Sequence, residues 1–218
     1  MQTRELGVRG AYAFTPTVFP DERGLFVAPY QQPAFTRALG GPLFPVAQTG
    51  HSRSRRGVVR GVHYTLTPPG MATYVHCAHG SALDFVVDLR IGSPTFGRWD
   101  SLTLDALTFG AVHLPVGVGH AFQALKDDTV MAYLLSGGYA ADDEKAVSVT
   151  DPALALPLRD DLPRLLSPRD EVAPTLAAAE RAGLLPEYET CARLDARLHE
   201  AALAAAGERH AGAGERHG

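Results

Sequence analysis

Cysteine is scarce in this chain: its two residues, Cys77 and Cys191, lie far apart, with no CxxC pair. That excludes a disulfide framework and fits reduced thiols in a cytosol. Long apolar runs are missing as well. Nothing approaches the ~20 residues of a membrane-spanning helix, and the opening MQTRELGVRG lacks a signal-peptide core. The expectation is a soluble, cytoplasmic protein. A surplus of positive charge is also absent, since the formal net charge is −4. No continuous phosphate-neutralising surface is available, which argues against bulk nucleic-acid binding. The one basic cluster, Ser52 to Arg56, reads as a solvated loop. What remains is a chain of 218 residues, 45% hydrophobic, with ample length to bury a core.

The patterning is that of strands. Residues 57–88 open with Gly57 and run into alternating apolar and polar positions, the mark of half-buried strands. Alternation puts Arg60, Val62 and Tyr64 on one face and Val59, Gly61 and His63 on the other. Pro68 to Gly70 is a turn, Thr73 to Ala78 a returning strand and Leu83 to Leu89 a third. Upstream, Leu25 to Tyr30 and Val46 to Ser52 read as strands and Gln32 to Leu39 as a short helix closed by Gly40-Gly41. Downstream, Asp100 to Leu107, Val112 to Leu114, Val130 to Ser136 and Ala146 to Thr150 continue the series, while 115–122 form a Gly-punctuated corner. Strands at this spacing indicate an all-β sandwich or barrel of jelly-roll type. Past Asp151 the chain turns Leu- and Pro-rich, with helical periodicity at 174–183 and again at 187–206. The division expected is a jelly-roll domain with helical cover over 1–186, then an extra helix and a disordered tail over 187–218 containing two copies of GERH.

Nine histidines are present. His199, His210 and His217 read as surface residues, and His76 and His79 as structural or exposed ones. His63 and His120 stand apart, because each follows a Gly-punctuated approach at a strand end. Pro115-x-Gly117-x-x-His120 matches the second half of the cupin metal motif. The first half fails: Gly61 and Thr65 flank His63 and no Glu follows, and two imidazoles alone make a poor metal centre. A cupin-like barrel without metal is the better expectation. In such a pocket His63 would act as a general base, with Asp170 and Asp84 as candidate orienters and Tyr133 as a candidate proton donor on the opposite face; spacing does not choose among them. Arg60 suits a charged ligand group, since its fork matches phosphate oxygens.

VFPDERGLF (18–26), HSRSRRGVVRGVHY (51–64), DFVVDLRIGSPTFGRW (84–99), LPVGVGHAF (114–122) and LSPRDEVAPTL (166–176) occur in order over about 14–176. In these the sequence resembles the dTDP-4-dehydrorhamnose 3,5-epimerase family. The resemblance implies a cupin-type jelly-roll β-barrel, a homodimer with exchanged N-terminal strands, and no metal or organic cofactor. It implies inversion of C3, C5 or both on a dTDP-4-keto-6-deoxyhexose. His63 matches the base, Asp170 its carboxylate partner and Tyr133 the acid. Arg60, Gln48 and His120 match positions lining the ligand, Arg60 at the diphosphate; Arg23 and Phe26 match positions reaching the nucleotide across the dimer, and Tyr139 an aromatic near the base. The chain departs from the family at Thr73, where a Lys is usual, at Gly50 (Asn) and at Ala28 (Glu). Two rival readings follow: a sugar-nucleotide-binding homologue that has lost catalysis, and a metal-dependent cupin using His63 and His120.

Overall fold

The computed structural model describes the backbone of residues 1–214 and the side chains of 1–207. Two antiparallel sheets face each other. One holds β1 (Gln2–Glu5), β2 (Tyr12–Thr15), β5 (Gln48–Ser54), β7 (Thr73–His79), β10 (Ala111–Leu114) and β12 (Thr129–Leu135), in the order β1-β2-β10-β7-β12-β5. The other holds β6 (Val59–Thr65), β8 (Ser81–Asp88), β9 (Trp99–Asp105), β11 (Val118–Ala124) and β13 (Glu144–Ala146), in the order β13-β6-β11-β8-β9. From β5 onward the chain crosses between sheets at every step but β8 to β9, which is the jelly-roll path expected. The sheets are not closed into a barrel. β3 (Val18–Asp21) and β4 (Gly24–Val27) form a hairpin that pairs with neither sheet.

The inward rows meet between the sheets: Val75, Cys77 and Met131 from one, Val86, Leu104 and Phe122 from the other. The second sheet also buries its outer face. Val62, Tyr64, Phe85, Val87 and Leu89 are covered by Val147, Leu154, Leu156, Leu176 and Leu185. That is why β8 is buried along almost its whole length, and this outer face is what the Leu- and Pro-rich chain after Asp151 packs against. Within this cover lie α2 (Pro168–Glu171) and α3 (Leu176–Arg181). The outer face of the first sheet packs Phe14 and Tyr74 against Phe35 of α1 (Gln32–Leu39) and Cys191 of α4 (Tyr188–Gly214).

The DLRIGSPTFGRW stretch is structural. Arg90 donates twice to the Asp88 carboxylate, at 2.8 Å each, and also to the Arg9 carbonyl. Ser93 and Thr95 hydroxyls donate to the same carboxylate. Arg90 lies 5.2 Å over the Tyr188 ring, which ties α4 to this corner.

Several expectations shift. The Gly-punctuated corner at 115–122 straightens into β11 from Val118. The strand expected at 146–150 is instead β13, after which 149–150 turn away. Ser52 to Ser54 belong to β5 and not to a loop, with Arg53 paired to Asp128. His199 is part-buried against Gly41 and not a free surface residue. Helix α4 continues to Gly214 where a disordered tail was expected. The His210 and His217 side chains and residues 215–218 lie outside the described residues. Among the described residues no helix is long and apolar enough to cross a membrane.

Candidate active site

One cavity opens between the sheets, about 260 Å³, and β6, β7, β11 and β12 supply most of its wall. Arg60, His63, Thr65, Thr73, His120, Tyr133, Tyr139 and Glu144 line it. The placement of Arg60 corrects the expectation that it faces away from His63. In the β6–β11 ladder His63 opposes His120 while Arg60 opposes Phe122, with a register shift between them. Three residues of β6 thus span what two of β11 span, a bulge whose extra residue brings both side chains to the inner face. Gly61 makes this possible. Its φ is +112°, and a Cβ there would stand 2.4 Å from the His120 carbonyl oxygen and 2.7 Å from the Ala121 Cα.

His63 meets Asp170 at 2.6 Å, Nε2 to Oδ1. Residue type and spacing left Asp170 and Asp84 both as candidates, 107 residues and 21 residues from His63 respectively, and the family resemblance pointed to Asp170. Asp170 reaches His63 because residues 164–167 are stitched to the start of β6. Val59 N–H donates to the Leu165 carbonyl and Leu165 N–H to the Gly57 carbonyl. Ser167 then caps the one-turn helix α2, its Oγ accepting from Asp170 N–H at 3.2 Å, and the Asp170 side chain turns inward with 3% exposure. Burial opposes ionisation of this carboxyl. The hydrogen bond and charge of His63, the bond from Ser167 and the charge of Arg169 outweigh it and hold the pKa below the ordinary Asp value. An ionised Asp170 can only accept, so the His63 Nε2 carries the proton and Nδ1 keeps the lone pair. No protein group among the described residues bonds to that Nδ1.

Asp84 serves the other imidazole: His120 Nε2 donates to its Oδ2 at 2.7 Å. The remaining Asp84 oxygen is buried without a partner. Two His–Asp pairs therefore stand side by side across the β6–β11 ladder. No group of three or more His, Cys, Asp or Glu residues among those described is arranged to share a metal ion.

Tyr133 faces these pairs from the first sheet, its ring edge-on to His120 at 6.2 Å. Burial raises its hydroxyl pKa to about 12, against the small opposing effect of Ser52, 3.4 Å away. The phenol stays protonated at neutral pH. On β12 and its neighbours Gln48, Gly50 and Ser52 share the inner face with Leu135, Tyr133 and Met131. Gln48 accepts the Tyr139 N–H at 2.8 Å, which holds the segment carrying Tyr139 over the cavity.

Beside this cavity, and sharing Arg60, His63 and Tyr139 with it, lies a basin of about 590 Å³ walled by Arg55, Arg164 and Arg169. Arg60 donates through Nε to Ser54 at 3.2 Å, which leaves its terminal nitrogens for a ligand. At the far end of β6, Thr65 donates to Glu144 at 2.8 Å. The site therefore runs from guanidinium through imidazole to carboxylate. Sequence reading missed Glu144, Thr65, Ser52 and the basin arginines. None sits in a spacing motif, although the segments at 51–64 and 166–176 carry Ser52, Arg55 and Arg169. Arg23 and Phe26 are not brought to the cavity within one chain. Arg23 pairs with Asp21 on the exposed hairpin, and Phe26 is 68% exposed.

The chain matches the family model described as dTDP-4-dehydrorhamnose 3,5-epimerase over residues 5–178. It is 48% identical over 184 residues to a dTDP-4-dehydro-6-deoxyglucose 3-epimerase of Streptomyces bikiniensis, covering 84% of this chain and 93% of that one. It is 44% identical over 191 residues to a dTDP-4-dehydrorhamnose 3,5-epimerase of Mycolicibacterium smegmatis, covering 88% and 94%. Among solved structures, the 3'-monoepimerase ChmJ of Streptomyces bikiniensis in complex with dTDP-quinovose superposes with a TM-score of 0.85 at 45% identity, covering 90% of this chain and 98% of that one.

Proposed function

This chain belongs to the dTDP-4-dehydrorhamnose 3,5-epimerase family and is a sugar-nucleotide epimerase, and we propose that His63 and Tyr133 invert one or both carbons flanking the ketone of a dTDP-4-keto-6-deoxyhexose. The observation that carries this reading is the 2.6 Å contact between His63 and a buried, ionised Asp170. The C4 ketone acidifies the hydrogens at C3 and C5. His63 Nδ1 removes one as a proton, and Asp170 stabilises the imidazolium that forms. The electron pair moves onto the C4 oxygen as an enolate. Tyr133, kept protonated by burial, returns a proton to the opposite face of the carbon. No step needs an organic cofactor or metal, because the ketone itself supplies the electron sink.

Arg60 and the arginine-walled basin beside it take the diphosphate and nucleotide, which lays the hexose along β6 over His63. His120, Gln48 and Tyr139 border the sugar. Arg23 and Phe26 act in a partner's site. The β3–β4 hairpin leaves Phe19, Leu25 and Phe26 at 56, 47 and 68% exposure, and a lone two-stranded hairpin is marginal in water. A homodimer that exchanges this hairpin covers the apolar faces. The functional unit spans 1–186, with the helix after it added to that unit.

The test is incubation with dTDP-4-keto-6-deoxyglucose in D₂O, with deuterium located by NMR. Incorporation at C3, C5 or both, abolished in His63→Asn while dTDP still binds, is the expected result. Exchange continuing in that variant at the wild-type rate contradicts the assignment of His63 as base.

A further inference from the structure

A second cavity, of about 410 Å³, shares no residue with the site built on His63. It lies between α1, the chain just after it, the end of β10 and α4, and α4 follows the segment matched by the family model. Its volume is within the range of small-molecule sites. Phe35, Phe44 and Leu198 form the apolar wall.

The polar groups are carboxylates and imidazoles. Asp195 and Glu200 bring carboxylates, His113 and His199 bring imidazoles, and among the described residues no Lys or Arg lines the space. His113 is only 7% exposed, makes no hydrogen bond through Nδ1, and is held edge-on by Phe35 at 5.2 Å. Burial lowers its pKa to about 4, so at neutral pH the ring is uncharged and offers one lone pair. Asp195 spends one oxygen on the Val116 N–H at 3.0 Å. Burial raises its pKa to about 6, against the opposing effects of the Val116 N–H and the Arg90 charge, so at pH 7.5 this part-buried carboxyl is largely ionised. A buried polar group left unmatched is costly, and a carboxylate away from water more so. The complementary ligand is rich in donors, carries positive charge and has an apolar body for the phenylalanine faces.

We propose that this cavity binds a small organic ammonium, a primary amine on an apolar body, with the nitrogen at Asp195 and His113 and the body against Phe35, Phe44 and Leu198.

Benzylamine is the probe, with benzyl alcohol as its neutral isostere, each titrated into the full chain at pH 7.5 by calorimetry and by NMR. Saturable benzylamine binding is expected with a Kd on the order of 1 mM or tighter, with shifts at Phe35, His113 and Leu198 and benzyl alcohol at least about tenfold weaker. Asp195→Asn keeps an acceptor for Val116 and removes the charge, so it should raise the Kd about tenfold or more. Ala196→Trp, at the mouth, should abolish binding while leaving deuterium exchange at the His63 site unchanged. No saturable shift up to about 20 mM, a range well past that affinity, overturns the proposal. So does equal binding of the alcohol, or undiminished binding to the Asp195→Asn protein. Because these readouts do not involve sugar turnover, they stand or fall separately from the epimerase assignment.

Discussion

Replacing Asp170 with Asn tests the mechanism most directly. The change is nearly isosteric and leaves the Ser167 cap intact, because that bond uses the Asp170 backbone N–H. What it removes is the negative charge facing His63 at 2.6 Å. Proton abstraction turns His63 into a cation, and two unit charges about 4 Å apart in an effective dielectric of about 20 attract by about 4 kcal/mol. The His63 side chain is 29% exposed, so water screens part of this. About half, roughly 2–3 kcal/mol, is a reasonable loss of transition-state stabilisation, or about 10²-fold in rate at 1.36 kcal/mol per decade. An Asn can also turn its NH₂ toward Nε2 and place the imidazole proton on Nδ1, the wrong tautomer for a base, which deepens the loss. The assay is deuterium wash-in from D₂O under substrate saturation, beside calorimetric binding of dTDP. The loss should appear in kcat, with dTDP affinity changed by less than about twofold, since Asp170 contacts no nucleotide in this scheme. A variant that folds normally and exchanges within about threefold of wild type would refute the coupling between Asp170 and the base; the expected effect is more than an order of magnitude larger.

Gly61→Ala forces a Cβ onto the β11 backbone at a φ of +112°. It should destabilise the fold by roughly 2–4 kcal/mol, seen as a lower denaturant midpoint, and cost activity through loss of the bulge that brings Arg60 and His63 together. Thr73→Lys adds an ammonium to a cavity in which Arg60 is the sole Lys or Arg. If it reaches the enolate oxygen, deuterium exchange should rise about tenfold or more, and no gain would show that neutral donors already suffice. Phe26→Ser should raise the dTDP Kd and shift the mass measured by light scattering toward monomer; an unchanged mass and Kd would sink the hairpin exchange. The Asp195 pKa is raised from 3.8 to about 6, so the folded state favours the protonated form. Stability from this group is complete below pH 4 and falls as pH rises through 6, by up to about 3 kcal/mol. Asp195→Asn should therefore raise the Tm at pH 7.5 and not at pH 4, and a Tm gain equal at both values contradicts the burial of that carboxyl.

Much of the molecule was written locally. Period-two alternation and turn residues marked β5 to β8 to within a few residues, and the apolar run with its glycine pair marked α1 at its observed bounds. Such elements depend on side-chain direction and backbone freedom, which act over a few residues. The site residues were legible as chemistry: a strand histidine, a carboxylate, a buried tyrosine. Their pairing was not. Asp84 and Asp170 were indistinguishable by residue type and spacing; the family resemblance favoured Asp170, and the stitching of 165 to β6 is what brings it to His63. Alternation placed Arg60 on the wrong face, because a bulge depends on the partner strand as much as on the strand that carries it. Glu144, Ser52 and the basin arginines converge from strands and loops far apart in the chain. The cavity of carboxylates and imidazoles under α4 arises where a helix lies across β10 and α1. The sequence by itself determined which stretches are strands and which groups can move a proton. Tertiary structure decided which groups meet and which are buried, because proximity and desolvation are properties of the packed chain.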